Sequence, residues 1–492
     1  MKRASWLIRE QIMRSVTNSY ERALTSPLIE PGRSAAGRSG RTQFEFESLA
    51  QKKASVWIRS FVIFQFACQI ALLFDYFNPS RVYVRAASFG ASLLLLVLMP
   101  RGRGRLHPAA HVAGWIMVIL LLSLLHPTTN SLLAGSAQVM LYLAILGPLF
   151  WVSNMSLGIA ELRKVLLIIF ILNALSAGTG VLQACFPGRF QPSLSSMVAD
   201  KDKGYVEELK IQLANGERIF RPMGLTDVPG GASAAGFYTV LLGMGFYVTS
   251  RKVERRLICA GLMMLGMACL YLSQVRSLLI LSILCAVAFC SLLAWQRQTA
   301  RLMSLGKSLL ITIAISFTFA VSIGGVGVTK RMATLIQDRP GAIYYSNRGI
   351  FLENTINELL PLYPLGAGLG RWGMMNTYFG DNSAPDRRSI YVEIQWTGWL
   401  LDGGLPLILA YAIALLITCS IAWTVSINRK IGDLSIWAAI VLAYSVGAIA
   451  TTFGSAMFAG QNGIQFWLLN ALLFATARTV LPNLGAFKSF HK

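Results

Sequence analysis

The sequence is poor in charged residues, and poorest in acidic ones. Asp, Glu, Lys and Arg make up 13% of the 492 residues, with 22 acidic residues against 44 basic ones, whereas a soluble domain carries about 25% charge. Apolar residues reach 54%, and the mean hydropathy is +0.56. This composition leaves little room for a separate soluble domain. The net charge of +22 lies in short segments beside apolar runs, without the interleaved aromatics of a nucleic-acid groove, so no nucleic-acid partner is expected.

Signals for metal and thiol chemistry are also missing. There is no C-x-x-C pair among the seven cysteines, so neither a disulfide framework nor a zinc site is indicated. No H-E-x-x-H or G-x-S-x-G pattern occurs, and the glycines of 366–370 lack the Lys-Ser/Thr of a phosphate-binding loop. The sequence therefore predicts no metal and no cofactor. The four histidines are scattered, at His107, His111, His126 and His491.

Long apolar stretches fill most of the remaining chain. A membrane-spanning helix needs about 20 mainly apolar residues. The sequence therefore predicts an all-α polytopic membrane protein with about twelve transmembrane helices. The twelve stretches are 57–77, 82–99, 109–125, 132–151, 164–184, 228–249, 255–273, 277–295, 307–326, 391–422, 433–453 and 464–482.

The basic residues predict how these spans are oriented, because cytoplasmic loops are enriched in Lys and Arg. Alternate connections are basic, which predicts both termini inside; Arg81 and Arg85, near the first outer turn, are the exception. The predicted parts are a basic cytoplasmic tail at 1–55, helices 1–5 at 56–185, an outer loop at 186–227, helices 6–9 at 228–326, a large outer loop at 327–390, and helices 10–12 with a short cytoplasmic tail at 391–492.

The basic tail has its own pattern. Ile8, Ile12 and Val16 recur four residues apart among arginines, which favours an amphipathic helix lying at a membrane surface. The segment 25–55 is rich in Ser, Gly and Arg and is typical of a disordered tether. Binding of a partner protein is the alternative role for this tail.

Three arginines near the ends of spans on the outer face are candidates for an anion site. Arg276 lies between two apolar spans with almost no loop around it, and an arginine at membrane depth is a functional candidate. Arg221 precedes one span, and Arg348 begins an amphipathic stretch. Guanidinium forks bind phosphate oxygens bidentately, so such a site would suit a polyprenyl diphosphate. The alternatives are snorkelling for Arg276 and solvated loop charges for the other two.

A carboxylate completes the set of candidates. Glu393 begins the span that follows the second outer loop, where an unpaired carboxylate is costly. It is a candidate general base, and its alternative role is a structural ion pair with an arginine.

These residues occur in an order that resembles a known family. Arg221-x-x-Gly224 precedes a span, Ser273-x-x-Arg-Ser277 ends one, and Arg348 leads a helix followed by Pro364-Leu-Gly-Ala-Gly-Leu-Gly370. Glu393-x-x-Trp396 then leads to Leu401-Asp-Gly-Gly-Leu405. Across about 218–415 this resembles the bacterial O-antigen ligase and O-antigen or exopolysaccharide polymerase superfamily of membrane glycosyltransferases. The Pro-Leu-Gly-x-Gly stretch is the most specific part of the match.

The resemblance implies an enzyme of the bacterial inner membrane with its two long loops in the periplasm. Such enzymes transfer a glycan from undecaprenyl diphosphate to a sugar hydroxyl. Ligases often carry a histidine near the start of the span after the second loop; here Glu393 stands in that region, which favours a polymerase. The predicted catalytic residues are Glu393, Arg276 and Arg348, and the predicted substrate-binding residues are Arg221 and Arg371.

The expected reaction is metal-independent and inverting. The expected partners are a polyprenyl-diphosphate-linked oligosaccharide, membrane lipid, and, as a further candidate, a chain-length regulator or another polysaccharide-assembly protein. The alternative is a multi-span lipid-glycan flippase or transporter, which should concentrate its ionisable residues in a central cavity. The sequence leaves the sugars, the linkage and the acceptor open.

Overall fold

A computed structural model of the chain describes residues 55–99, 105–194, 203–334, 340–481 and 484. The amphipathic helix and tether expected in the basic tail at 1–55 therefore lie outside the described residues, apart from Ser55. The same holds for Arg101 and Arg103 of the first predicted inner loop. Within the described ranges the chain is mostly helical.

The twelve longest helices of the described residues, which we number α1–α12, each coincide with one predicted apolar stretch. Nine of them are long and apolar enough to cross a membrane, when α4 is taken together with the short helix Pro148–Trp151. The chain is thus an all-α multi-pass membrane protein, whereas the full count of twelve crossings stays a prediction. The helices are α1 Ser55–Ala71, α2 Arg81–Leu98, α3 Pro108–Leu124, α4 Leu132–Leu146, α5 Ile159–Cys185, α6 Gly231–Thr249, α7 Val253–Ser273, α8 Arg276–Trp295, α9 Thr299–Ala333, α10 Gln395–Ile427, α11 Asp433–Thr451 and α12 Gln461–Val480.

Shorter elements occupy the connections. The first predicted loop contains a hairpin of β1 (Lys210–Gln212) and β2 (Arg218–Phe220), antiparallel with Ile211 opposite Ile219; the all-α expectation did not include it. The other short helices are Asp75–Phe77, Pro187–Phe190, Lys203–Glu208, Gly373–Phe379, Pro385–Arg387, Arg429–Ile431, Met457–Ala459, and the run Pro340–Tyr344, Tyr345–Gly349, Ile350–Asn354, Thr355–Leu359 and Leu360–Leu362.

The centre of the bundle is formed by α6, α11 and α12, which are buried on most sides. Trp437, Tyr444 and Trp467 are fully buried there. Helix α12 carries amides such as Asn470, whose Nδ2 donates to the hydroxyl of Ser445 on α11 at 3.3 Å. A helix surrounded by protein needs less lipid-facing hydrophobicity than a peripheral one.

Glycines allow helices α6 and α7 to pack closely. A Cβ on Gly236 of α6 would lie 2.7 Å from the Gly266 carbonyl oxygen, and a Cβ on Gly266 of α7 would lie 2.8 Å from the Gly236 oxygen. Only two glycines allow the backbones to approach so closely, which is a common way of packing helices in membranes.

The basic connections predicted to be cytoplasmic meet at one end of the bundle. Arg163 and Arg301 lie 3.6 Å and 3.7 Å from the carboxylate of Asp433, so three such connections share one anion. At the same end Arg478, near the end of α12, donates to the Arg105 carbonyl oxygen at 2.6 Å.

The connections predicted to be outer meet at the other end. The side chain of Asn130, between α3 and α4, donates to the Asp381 carbonyl oxygen of the second loop at 2.7 Å. Tyr344 of the same loop donates to the Phe453 carbonyl oxygen, just after α11, at 3.2 Å. The helices therefore separate the two sets of connections, while the side that faces the cytoplasm stays a prediction.

Helix α9 is broken near its end, and the hairpin fills the break. Gly325 has φ 55° and ψ −140°, and the helix then continues to Ala333. The Ile323 carbonyl oxygen accepts a hydrogen bond at 3.0 Å from the backbone N–H of Ala214, in the hairpin turn. The sequence prediction ended this span at 326; the helix runs on because the hairpin satisfies the backbone that the break exposes.

Helix α10 is broken in the same manner at Gly403 and Gly404. The second loop enters this break: the Ala367 N–H donates to the Leu401 carbonyl oxygen at 2.7 Å, and the Leu405 N–H donates to the Pro364 carbonyl oxygen at 2.9 Å. The glycines of 366–370 therefore have a structural role. They allow the second loop to lie close to α10 and to the turn between α3 and α4.

Cysteine labelling tests the sidedness. Ser383 and Ala300 are both exposed, at opposite ends of the bundle. In a variant whose seven cysteines are replaced, Ser383→Cys should react with a membrane-impermeant maleimide in intact cells, and Ala300→Cys only after permeabilisation. The reverse pattern would invert the predicted topology.

The break in α10 predicts a sharp contrast between two glycines. A Cβ on Gly404, which has φ 64°, would lie 2.2 Å from the Pro364 oxygen, whereas Gly114 in α3 has open space around it. Gly404→Ala should destabilise the protein by at least about 1–3 kcal/mol from backbone strain alone. Gly114→Ala, the matched control, should be neutral or stabilising by about 0.5–1 kcal/mol. Thermal unfolding in detergent measures both, and equal melting temperatures would contradict the packing of the break.

Candidate functional site

The segment between the hairpin and α6 is fixed by one buried glutamine. The side-chain oxygen of Gln183 on α5 accepts from the backbone N–H groups of Met223 and Gly224, both at 2.8 Å, and its amide donates to the Gly224 oxygen at 3.0 Å. Gly224 has φ 65°, and a Cβ there would lie 2.8 Å from the Ser176 carbonyl oxygen, so glycine is required. Arg221 therefore projects from a rigid backbone.

Three arginines from distant parts of the sequence come together at this end of the bundle. Arg221 follows β2, Arg276 is the first residue of α8, and Arg331 lies on α9 beyond its break. The half-buried Arg331 is repelled by the charges of both Arg276 and Arg221. We call Arg221, Arg276 and Arg331 the arginine cluster. Arg331 is not among the site residues that the sequence predicts.

Some hydrogen-bond donors in and beside the arginine cluster have no acceptor among the described residues. The Nε of Arg331 and the side-chain amide nitrogen of Gln274 are buried and have no hydrogen-bond partner in the described part of the chain. Gln274 directly follows α7, two residues before α8 begins, and has a left-handed conformation with φ 53°. Arg276 donates to the Thr334 hydroxyl at 3.3 Å. Buried donors without acceptors are costly, and an oxyanion would satisfy them with charge-assisted hydrogen bonds.

Glu393 lies at the same end of the bundle and is paired on both oxygens. Arg348 approaches one oxygen to 2.5 Å, and the Tyr391 hydroxyl donates to the other. The side chains of Arg348 and Glu393 are 38% and 22% exposed, so both reach the surface of the site. A carboxylate has about four lone-pair positions, which leaves Glu393 able to accept a further hydrogen bond from a hydroxyl group.

Arg348 is positioned by an unusual helix. It lies in the π-helical turn Tyr345–Gly349. Such turns are rare in proteins, and those that occur are often found at functional sites. One helical stretch later, the buried Thr355 shares a 2.6 Å hydrogen bond with Thr397 of α10, which ties this run of helix to the start of the span that follows Glu393. In the same π turn, the hydrogen bond to the Glu353 carboxylate raises the pKa of Tyr345.

Arg371, predicted to bind substrate, is 5% exposed. Its Nε donates to the Arg388 carbonyl oxygen at 3.1 Å, and a terminal nitrogen donates to the Ala367 oxygen at 3.2 Å. In this position the guanidinium holds the second loop together. The structure thus places Arg371 among the backbone carbonyl groups of its own loop.

The second loop is also tied to the membrane helices by Asp402, immediately before the α10 break. This fully buried carboxylate accepts hydrogen bonds from Tyr142 at 2.7 Å, Trp372 at 2.9 Å and Gln138 at 3.1 Å. Three donors compensate for the cost of a carboxylate at this depth. Asp402 therefore joins α4, α10 and the loop that leads to Glu393.

The two outer arginines that depart from the charge pattern share one carboxylate. Asp227, six residues after Arg221, pairs with Arg81 and lies 2.8 Å from Arg85. Arg81 and Asp227 are nearly buried, with side chains 5% and 10% exposed. This pairing gives Arg81 and Arg85 a structural role, which accounts for their departure from the predicted charge pattern.

The residues that the sequence analysis missed gave weak signals. Arg331 falls beyond the predicted apolar run, in the predicted loop, and the glycine pair Gly324–Gly325 before it is the one sequence sign of a break. Gln183 looked like a polar residue at the end of a span. Among the described residues, no group of three or more His, Cys, Asp or Glu side chains is placed to hold a metal ion.

In comparisons with known proteins, neither a family model nor a curated protein matches this chain.

Proposed function

We propose that the chain is an inner-membrane glycosyltransferase that joins polyprenyl-diphosphate-linked glycan units on the periplasmic face, in O-antigen or exopolysaccharide synthesis. The observation that carries this proposal is the arginine cluster, at the end of the bundle that also presents Glu393. A cluster of guanidinium groups suits a diphosphate. A carboxylate at the same end suits the deprotonation of an attacking hydroxyl group.

The proposed step is a single displacement. The hydroxyl oxygen of the acceptor glycan forms a bond to the anomeric carbon of the donor, and the bond from that carbon to the diphosphate oxygen breaks. The polyprenyl diphosphate leaves with the electron pair, and the hydroxyl proton passes to Glu393. Arg221, Arg276 and Arg331 offset the charge that develops on the leaving group. Attack opposite the leaving group inverts the anomeric centre.

Arg348 and Tyr391 orient the proposed base, since each binds one oxygen of Glu393. Arg371 and Asp402 act at a distance by fixing the second loop. Ligation to another acceptor uses the same chemistry as polymerisation, so the arrangement supports both outcomes.

A lipid-glycan flippase is the second candidate. A cavity of about 330 Å³, whose mainly apolar wall includes several polar side chains, lies in the half of the helix bundle that is predicted to be outer, and a transported ligand would need such a polar space. The purified protein in liposomes with lipid-linked glycan extracted from its host separates the two. Longer glycans indicate a polymerase, whereas unaltered glycan that crosses the bilayer indicates a flippase.

The arginine cluster predicts a loss of turnover when the guanidinium fork is removed. Loss of one donor to developing negative charge costs about 10²–10³-fold in kcat, so Arg276→Ala and Arg331→Ala should fall in that range. The corresponding Lys variants should stay impaired because lysine keeps the charge and loses the fork.

Arg218→Lys is the matched control, because this exposed hairpin arginine pairs only weakly with Glu207, at 3.4 Å. Polymer length and yield are measured at equal protein levels. Normal polymer from both Arg276→Lys and Arg331→Lys would exclude the diphosphate site.

Glu393→Gln should lower turnover by about 10²–10⁴-fold with binding of the lipid substrate retained, because it removes the base and keeps the shape. The protein should fold normally, since the 38% exposed Arg348 remains hydrated when its partner is neutral. Glu358→Gln, an exposed glutamate of the same loop, is the control. Wild-type turnover of well-folded Glu393→Gln would remove this residue from the mechanism.

A further inference from the structure

Arg85 has unused hydrogen-bonding capacity away from the arginine cluster. One terminal nitrogen binds Asp227, and the other is 3.8 Å from the sulfur of Met374, a weak acceptor. Its Nε is buried without a hydrogen-bond partner among the described residues. Because Arg81 also binds Asp227, the three side chains carry a net charge of +1. Arg85 can therefore bind an anion without leaving Asp227 unpaired.

One side of Arg85 faces the 330 Å³ cavity, whose lining is unusual for the interior of a membrane protein. Neutral hydrogen-bonding groups dominate its polar part, and aromatic rings such as Phe61 and Phe66 complete the wall. Amides and hydroxyls both donate and accept, which matches the hydroxyl groups of a sugar. The polar lining includes Gln69, Asn173 and Gln465, together with Gln65, Ser88 and Gln461, which also hydrogen-bond to one another.

The other side of Arg85 faces an apolar groove of about 240 Å³ between α2, α4 and the short helix Gly373–Phe379. Arg85, Phe89 and Met374 line both the groove and the cavity, so the two spaces adjoin at the arginine. Gly90 also lines the groove, and a Cβ there would meet open space. The other groove residues are largely apolar and include Val82, Leu93, Met140, Leu141 and Phe379.

We propose that Arg85 marks a second lipid-substrate site, in which the groove holds an isoprenoid chain, Arg85 binds its phosphate, and the cavity holds the first sugar. The apolar groove, a guanidinium with donors that no described residue binds, and the cavity with amide groups in its wall lie in the order in which chain, phosphate and sugar follow one another in such a lipid. A membrane phospholipid shares the chain and the phosphate but lacks the sugar.

This second site rests on the proposed function for its role, because joining two lipid-linked glycans requires a donor site and an acceptor site. The rigid segment from Arg221 to Asp227 connects the arginine cluster to the Arg85 site. Six residues span at most about 22 Å, so the two sites are neighbours. The arginine cluster would hold the diphosphate that leaves. The Arg85 site would hold the lipid-linked glycan whose hydroxyl group attacks.

Photolabelling of the purified full chain in nanodiscs tests the site without requiring activity. The probes are diazirine-bearing farnesyl phosphate, the same phosphate carrying one glucose through a diphosphate, and diazirine-bearing farnesol. We expect both phosphate probes to label peptides of α2, α4 and Gly373–Phe379. Gly90→Leu, which fills the groove, should reduce that labelling at least about tenfold. Gly114→Leu, on α3 with equally open space, is the matched control and should leave it unchanged.

Two further variants test the phosphate-binding and sugar-binding parts of the site separately. Arg85→Gln should weaken labelling by the two phosphate probes and leave farnesol unaffected. Gln465→Leu should weaken only the glucose-bearing probe. The proposal would be overturned if Gly90→Leu or Arg85→Gln left the labelling unchanged. It would also be overturned if phosphatidylglycerol competed with the probes as strongly as the unlabelled glucose-bearing lipid does. Arg276→Lys should retain this labelling while its polymer yield falls, since the two sites are separate. Wild-type protein that binds the probes here but makes no polymer would contradict the proposed function and not the second site.

Discussion

The structure depends on one constraint of the bilayer, which is that every backbone N–H and C=O within it needs a partner inside the protein. Two long helices, α9 and α10, violate helical geometry at Gly325 and at Gly403–Gly404. Each break is satisfied by a connection from the same end of the bundle: the hairpin turn at Ala214 binds the first, and the glycine-rich stretch 364–370 binds the second. Both polar connections are thereby attached to the membrane helices at fixed points.

Those attachments determine where the charged side chains of the candidate site lie. The hairpin at the α9 break leads directly to Arg221, and the part of α9 beyond the break carries Arg331. The loop in the α10 break is held by Asp402 and leads to Glu393. Like charges at close range repel one another, so Arg276 and Arg331, neither of which forms an ion pair with a described residue, depend on this rigid backbone to stay together.

The sequence predicted the local features well and the long-range ones poorly. Apolar length locates all twelve helices, because a spanning helix must be long and apolar wherever it packs. Periodicity says nothing about pairs such as Arg85 and Asp227, which are 142 residues apart. The breaks were missed for a related reason: a glycine pair in an apolar run is compatible with a continuous helix until another segment supplies the hydrogen bonds. Arg331 was overlooked because its position depends on such a break.

Arg371 is a residue that the sequence predicts for the site but that the structure gives a different role. The sequence predicts that Arg371 binds substrate, yet the glycine-rich stretch before it is packed into α10, so the guanidinium is enclosed with the carbonyl oxygens of Ala367 and Arg388. Arg85 lies beside a cavity and a groove, with donors that no described residue binds. An arginine is available to a ligand when its own backbone surroundings leave donors unmet, and the sequence cannot distinguish these two cases. The burial of each guanidinium and the carbonyl groups around it decide which arginines hold the fold and which can hold a phosphate.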